Sequence, residues 1–237
     1  MHRLGNTRSA HRADHLLHTP DTFVRAPVPG MTNATAIVHV APARGAKFTE
    51  YTAILEPGGK LGATQAQRFV YVLEGELHVG SESLTPGGYT YQPEGSTTPF
   101  RSANGARALV IEKPYQMLPG TAKPGPVTGS ENAVEGKPLD GDEALRVRSL
   151  IPADPAFDLA VNTLTFLPGA SLPMVEIHVM EHGLLMLEGG GIYRLGDCWY
   201  SVEAGDFIWM APYCPQWFGA LGKVPAKYLI YKDWNRA

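Results

Sequence analysis

Four strand-like segments occur twice in this 237-residue chain, in the same order each time. "EYTAILEPGG" is answered by "LTFLPGA", and "RFVYVLEGELHV" by "GLLMLEGGGIYRL". "LTPGGYTYQPEGSTTPF" is answered by "VEAGDFIWMAPYCPQWF", and "RALVIEKPY" by "AKYLIYKDW". Each segment is rich in Val, Ile, Leu, Tyr and Trp and bounded by Gly or Pro, the pattern of short strands. The repeat predicts two copies of one all-β domain. Twenty-six glycines and 20 prolines fit many turns better than long helices.

The boundaries follow from where the pattern stops. Residues 1–44 read as an N-terminal arm and lead-in whose end, "ATAIVHVAP", is a strand; His39 alternates within it. Residues 45–115 hold the first copy. Residues 116–145 are Pro/Gly-rich and polar, as expected of a surface connection, and residues 146–237 hold the second copy. His2, His11, His15 and His18 have no carboxylate or strand pattern holding them together, so a solvated arm is expected there. The glycines of "LEGGGIYRLG" precede nothing helical and read as tight β-turns rather than a dinucleotide loop.

Several functions are disfavoured by composition. The net charge of −3 gives no broad attraction to nucleic acid. No apolar run is long enough to span a bilayer, and the first residues hold no continuous apolar segment of the secretory kind. Cys198 and Cys214 are too few for a disulfide framework and lack zinc-site spacing, so reduced thiols in a cytoplasmic protein are expected.

The stretch "VEIHVMEHG" places Glu176, His178 and His182 within seven positions. Three readings stand for it: metal ligands, a water-exposed strand edge, or a helix with His178 and His182 at i, i+4. Pro-Gly before and a Gly run after leave room for only a short helix. The order of segments resembles the cupin superfamily, small β-barrels of two sheets. Gly169, Glu176, His178, His182 and Gly189 fall where the first cupin motif carries its ligands and turns, with Glu and His permuted. "GDFIWMAPYCPQW" matches the second motif and puts Gln216 where a His usually stands. Residues two apart on a strand share a face, so Glu176 and His178 would enter a barrel together. A carboxylate and two imidazoles buried there would be costly without a partner, and a divalent cation removes that cost. Two imidazoles, one carboxylate and one amide oxygen, with no thiolate, suit an octahedral Mn²⁺ or Fe²⁺ better than structural Zn²⁺; Zn, Ni or Cu could replace it on purification. The first copy offers only Gly62, Thr64, Gln65, Gln67, Arg68 and Thr98 around the equivalent positions, so one metal per chain is expected.

A closer resemblance covers nearly the whole chain and is most specific over residues 168–236, from "EIHVMEHGLLMLEGGGIYRLGDCWYSVEAGDFIWMAPYCPQWFGALGK" to "KYLIYKDWNR". These stretches are similar to the (S)-ureidoglycine aminohydrolase family. The resemblance implies a bicupin, two tandem jelly-roll barrels, that uses Mn²⁺ to release ammonia from (S)-ureidoglycine and give (S)-ureidoglycolate in purine (allantoin) degradation. It implies Glu176, His178, His182 and Gln216 as metal ligands, with Glu176 and Lys232 catalytic. It further implies Tyr193, Tyr228 and Lys232 as substrate contacts. The residues allow this chemistry. A metal with open positions can orient a chelating substrate and acidify a water. Lys232 can offer charge or a proton, and the tyrosines can donate hydrogen bonds. Taken alone, each tyrosine is equally an ordinary strand residue. Two other functions carry part of the same pattern: a non-haem Fe²⁺ dioxygenase of cupin type, and a non-enzymatic ligand-binding bicupin. The expected partners are a small-molecule substrate and further copies of the chain in a homo-oligomer, with neither nucleic acid nor membrane.

Overall fold

Strands form where β-branched and aromatic residues alternate between Gly- and Pro-bearing turns. The computed structural model describes residues 6–233, and among these there is no α-helix, only strands and three short 3-10 turns. No helix there is long and apolar enough to cross a membrane. The chain divides into two compact units. One takes Met1–Phe23, Glu135–Ala153 and Leu159–Ala237, the other Val24–Val134 and Asp154–Asp158.

The unit built around Val24–Val134 has one long antiparallel sheet, with Gln67–Gly75 and Thr49–Lys60 flanking Ala106–Lys113 at its centre. Its interior is apolar: Tyr51, Leu55, Val70, Val72, Leu77, Phe100 and Val110 pack together. Val127–Ser130, from the expected surface connection, is a strand paired to Gly88–Gln92. The same connection also supplies strand Lys137–Leu139 of the other unit.

The second unit sets two sheets face to face. Its larger sheet runs Ala10–His11, His15–His18, Phe207–Met210, His182–Glu188, Ala226–Lys232, Ala160–Phe166, Asp142–Ser149, Lys137–Leu139. The smaller runs Cys198–Glu203, Gly190–Leu195, Gln216–Ala220. Between them lie Leu184, Met186, Tyr193, Leu195, Ile208, Met210, Phe218, Tyr228 and Ile230. Alternation along each strand therefore fixes which other residues face inward: His182 before Leu184, Lys232 after Ile230, and Gln216 before Phe218.

The solvated arm expected at the N-terminus is corrected here for the described residues; His2 lies outside them. His15–His18 is a strand of the larger sheet, in register with Phe207–Met210. His15 and Leu17 are buried and Leu17 joins the core, so period-two burial holds the segment.

Matching "LEG" turns recur in the two units. Gly75 and Gly189 both have positive φ, 74° and 64°. A Cβ on either would collide with the backbone of the strand alongside, at Gly105 and Pro225 respectively. Only glycine meets both demands.

Candidate metal centre

Glu176 and His178 were expected on a strand. The structure instead makes residues 175–181 an extended crossing that touches regular structure once, in an isolated bridge between Glu176 and Gln216. Both backbone bonds of that pair form, Glu176 N–H to Gln216 O at 2.8 Å and Gln216 N–H to Glu176 O at 2.9 Å. A further bond from Tyr213 N–H to His178 O, 2.7 Å, ties the crossing down. Tyr213 holds φ at 64°, an uncommon conformation for a bulky residue.

Burial along the crossing is inverted. Val175, Ile177 and Val179 are exposed, Ile177 by 61 %, whereas Glu176 and His178 are half-buried and paired, His178 Nε2 to Glu176 Oε2 at 3.1 Å. Polar residues are turned towards the interior and apolar ones towards solvent, the reverse of what a folded chain does for stability alone.

His182 opens its strand 5.1 Å, ring to ring, from His178. It is in register with Met210 on one side and Lys232 on the other. The imidazole is 2 % exposed and neither ring nitrogen has a hydrogen-bond partner of good geometry. Burial, then the charges of His178 and Lys232, lower its pKa to about 3; backbone groups of Tyr231 and Glu181 oppose this weakly. The ring is neutral, with a lone pair free to coordinate.

Gln216 is buried, and its Oε1 accepts a hydrogen bond from the Tyr193 hydroxyl at 3.0 Å. Tyr193 is wholly buried, packed against Phe218 and in register with it. The Tyr193 hydroxyl thus lies on a candidate ligand. Tyr228 packs on Phe166 and Phe218. Its hydroxyl has no partner among the described residues, and burial, then Tyr193 and Glu176, hold its pKa well above the usual phenol value. Lys232 lies at the same end of the interior, its pKa lowered by burial and partly restored by Glu176. The structure therefore brings all seven sequence-predicted residues to one end of one barrel interior, with Met210 beside them.

Sequence reasoning passed over a second grouping. Among the described residues, Asp14, His15 and Cys214 are the one set of three His, Cys, Asp or Glu side chains whose ligand atoms all lie within 4.8 Å of one another. Glu176, His178 and His182 are not so tightly closed. The two groupings differ in need, however. His15 Nδ1 bonds Asp14 and its Nε2 bonds the Tyr200 hydroxyl, each at 2.8 Å, so that ring is satisfied without an ion. His182 is not, and two unmet nitrogens in an apolar interior are costly. A cation between Glu176, His178, His182 and Gln216 would meet one of those nitrogens, so the donor set fits a divalent metal. The residues "HLLH" do not alternate polar and apolar, so they carried no signal for the His15 strand.

Two sheets enclosing such a site, with its residues drawn from a first segment and a later Pro-bounded turn, define the cupin class. Residues 162–231 match the family model for the Cupin domain. The chain is 38 % identical, over 98 % of its length and 80 % of the relative's, to an (S)-ureidoglycine aminohydrolase of Arabidopsis thaliana. It is 32 % identical to the (S)-ureidoglycine aminohydrolase of Escherichia coli (strain K12), over 98 % of this chain and 93 % of that one. The crystal structure of the protein Ylba from E. coli superposes with a TM-score of 0.85 at 29 % identity, covering 100 % of this chain and 99 % of that one. The chain belongs to the (S)-ureidoglycine aminohydrolase family, a family of hydrolases.

Proposed function

We propose that this chain releases ammonia from (S)-ureidoglycine to give (S)-ureidoglycolate in purine degradation, with one Mn²⁺ held by Glu176, His178, His182 and Gln216. The observation that carries the reading is the buried His182, with both nitrogens unmet, facing Lys232 across one register position. A divalent ion bound there supplies Lewis acidity and a fixed point for a chelating substrate. The other parts of the reaction belong to the chain. Lys232, whose burial eases loss of its proton, is placed to meet a carboxylate or to protonate departing ammonia. Tyr228 offers a free hydroxyl to the ureido group. Tyr193 acts through Gln216, holding its amide in one orientation, as hydrogen bonds to metal ligands do. The hydroxyl that replaces ammonia comes from water, and Met210, Phe166 and Phe218 supply the apolar packing beside the site.

The two units read as two copies of one cupin barrel, a bicupin. The paired glycine turns support this, and only the second copy carries ligands. Exposed Met174, Ile177, Val179 and Trp199 support a homo-oligomer. Both cysteines are unpaired, which favours the cytoplasm. The test is ammonia release from enzymatically generated ureidoglycine, read against a no-enzyme control because the aminal decays unaided. Loss of the excess rate on chelation, and its return with Mn²⁺, is the expected result. Oxygen consumption in its place would establish the dioxygenase reading.

A further inference from the structure

The unit built around Val24–Val134 keeps a cavity of about 220 Å³, lined among others by Gly62, Thr64, Arg68, Gln92, Thr98 and Phe100. Its position is informative. Counting back from the matched turns at Gly75 and Gly189, Gly62, Thr64 and Arg68 stand where Glu176, His178 and His182 stand in the other copy, at the same spacings. Strand registers agree: Arg68 faces Gln92 and Glu112 as His182 faces Met210 and Lys232. Thr98 precedes Phe100 as Gln216 precedes Phe218, and Phe100 pairs with Val79 as Phe218 pairs with Tyr193. The cavity is the counterpart of the metal centre, with a fixed guanidinium in place of the set that calls for a cation.

Arg68 is itself buried, and its contacts leave one edge open. Nε and Nη2 both bond Glu112 Oε1, at 2.8 and 2.5 Å, and Nη2 also bonds Gly62 O at 2.8 Å. Nη1 has no protein partner among the described residues. Around the same space the Thr64 and Thr98 hydroxyls can each turn a proton inward, whereas the Ser96 hydroxyl already donates to Gln92 Oε1 at 3.0 Å. A wall of donors beside an aromatic ring takes an acceptor, and a buried guanidinium favours a carboxylate above other acceptors. The volume lies below the ~300–1,000 Å³ of sites for drug-sized ligands, so the molecule is compact.

From this geometry we infer that the metal-free barrel is a binding site for a small carboxylate, read by Arg68 Nη1 and the Thr64 and Thr98 hydroxyls. The inference does not depend on the reaction assigned to the other barrel.

The test isolates this site. In a His178→Ala/Lys232→Met background, stripped of metal, the carboxylate-binding groups proposed for the other barrel are disabled. Isothermal titration with glyoxylate should then show one saturable site per chain, and acetamide, neutral and of similar size, should bind about tenfold or more weakly. Arg68→Gln should weaken glyoxylate about tenfold or more. Thr98→Val leaves the Arg68–Glu112 pair intact and should also weaken it, which decides the matter if Arg68→Gln does not fold. Absence of saturable binding overturns the inference. So does binding that neither variant alters, or equal affinity for acetamide.

Discussion

Glu176 and Gln216 exchange both backbone hydrogen bonds in a bridge that belongs to no strand ladder. Residues paired in this way carry their side chains on the same face, close together. A carboxylate and an amide forty positions apart in sequence thus meet through two backbone bonds. Tyr193, from the strand alongside, completes the arrangement by bonding Gln216 Oε1. Tyr193→Phe should therefore act on the metal before it acts on substrate. Metal affinity, read by competition with a chelator, should fall about 10–100-fold, and activity should return at saturating Mn²⁺. An unchanged metal affinity with a raised KM would make Tyr193 a direct substrate contact instead.

His182 makes the stability of the metal-free protein depend on pH. Its pKa falls from 6.5 when unfolded to about 3 when folded. Between these values the unfolded chain holds a proton that the folded one does not, so stability is complete above about 6.5 and is lost as pH falls towards 3. The full loss is of order 5 kcal/mol at about 1.4 kcal/mol per pH unit. Urea midpoints across pH 4–7 should show a slope in the metal-free protein that His182→Leu flattens. Parallel slopes in the two proteins would show that other groups carry the effect.

How much of this could be read from the sequence depended on distance along the chain. The strands and the turns at Gly75 and Gly189 were legible because period-two burial and positive φ are local demands. The strand His15–His18 was not, since what buries it is Phe207–Met210, nearly two hundred positions away. The spacing of Glu176, His178 and His182 was visible, but the inverted pattern around them needed the knowledge that Ile177 faces water. The bond between Tyr193 and Gln216 required the register of two strands, which composition does not carry. Arg68 showed only as a missing ligand until Glu112 and Gln92 fixed its place.

Glu50 is wholly buried with neither carboxylate oxygen hydrogen-bonded. Burial alone raises its pKa well above 4.5. The folded chain therefore keeps this proton longer than the unfolded one. The contribution from the neutral acid is complete below about 4.5 and is lost as pH rises through the folded value. Glu50→Met, close in volume and apolar, should stabilise the protein by about 1–3 kcal/mol near neutral pH. The gain should shrink towards pH 4. Differential urea titration at the two pH values checks both points, and destabilisation by Met would show that the carboxylate has a use in the fold.

Lys232 and His178 separate chemistry from metal binding. Lys232 faces the same interior as His182, and is not in the ligand set. Lys232→Met should keep Mn²⁺ bound and lower kcat/KM by roughly two orders of magnitude, the scale of a lost charge-assisted contact or positioned acid. His178→Ala should lose metal and activity together, because the site then has three ligands of four. The pH profile gives an independent check. Burial lowers the Lys232 pKa, and Glu176 only partly restores it; a bound cation pushes further in the same direction. The ammonium is thus lost on the alkaline side below the ordinary lysine value of about 10.4. The alkaline limb of kcat/KM should fall there in the wild type and vanish in Lys232→Met. If Lys232 were instead only a charge at the end of its strand, its removal would shift rate and stability by less than about half a kcal/mol. A Lys232→Met enzyme with wild-type turnover and an unchanged alkaline limb would take the residue out of the site.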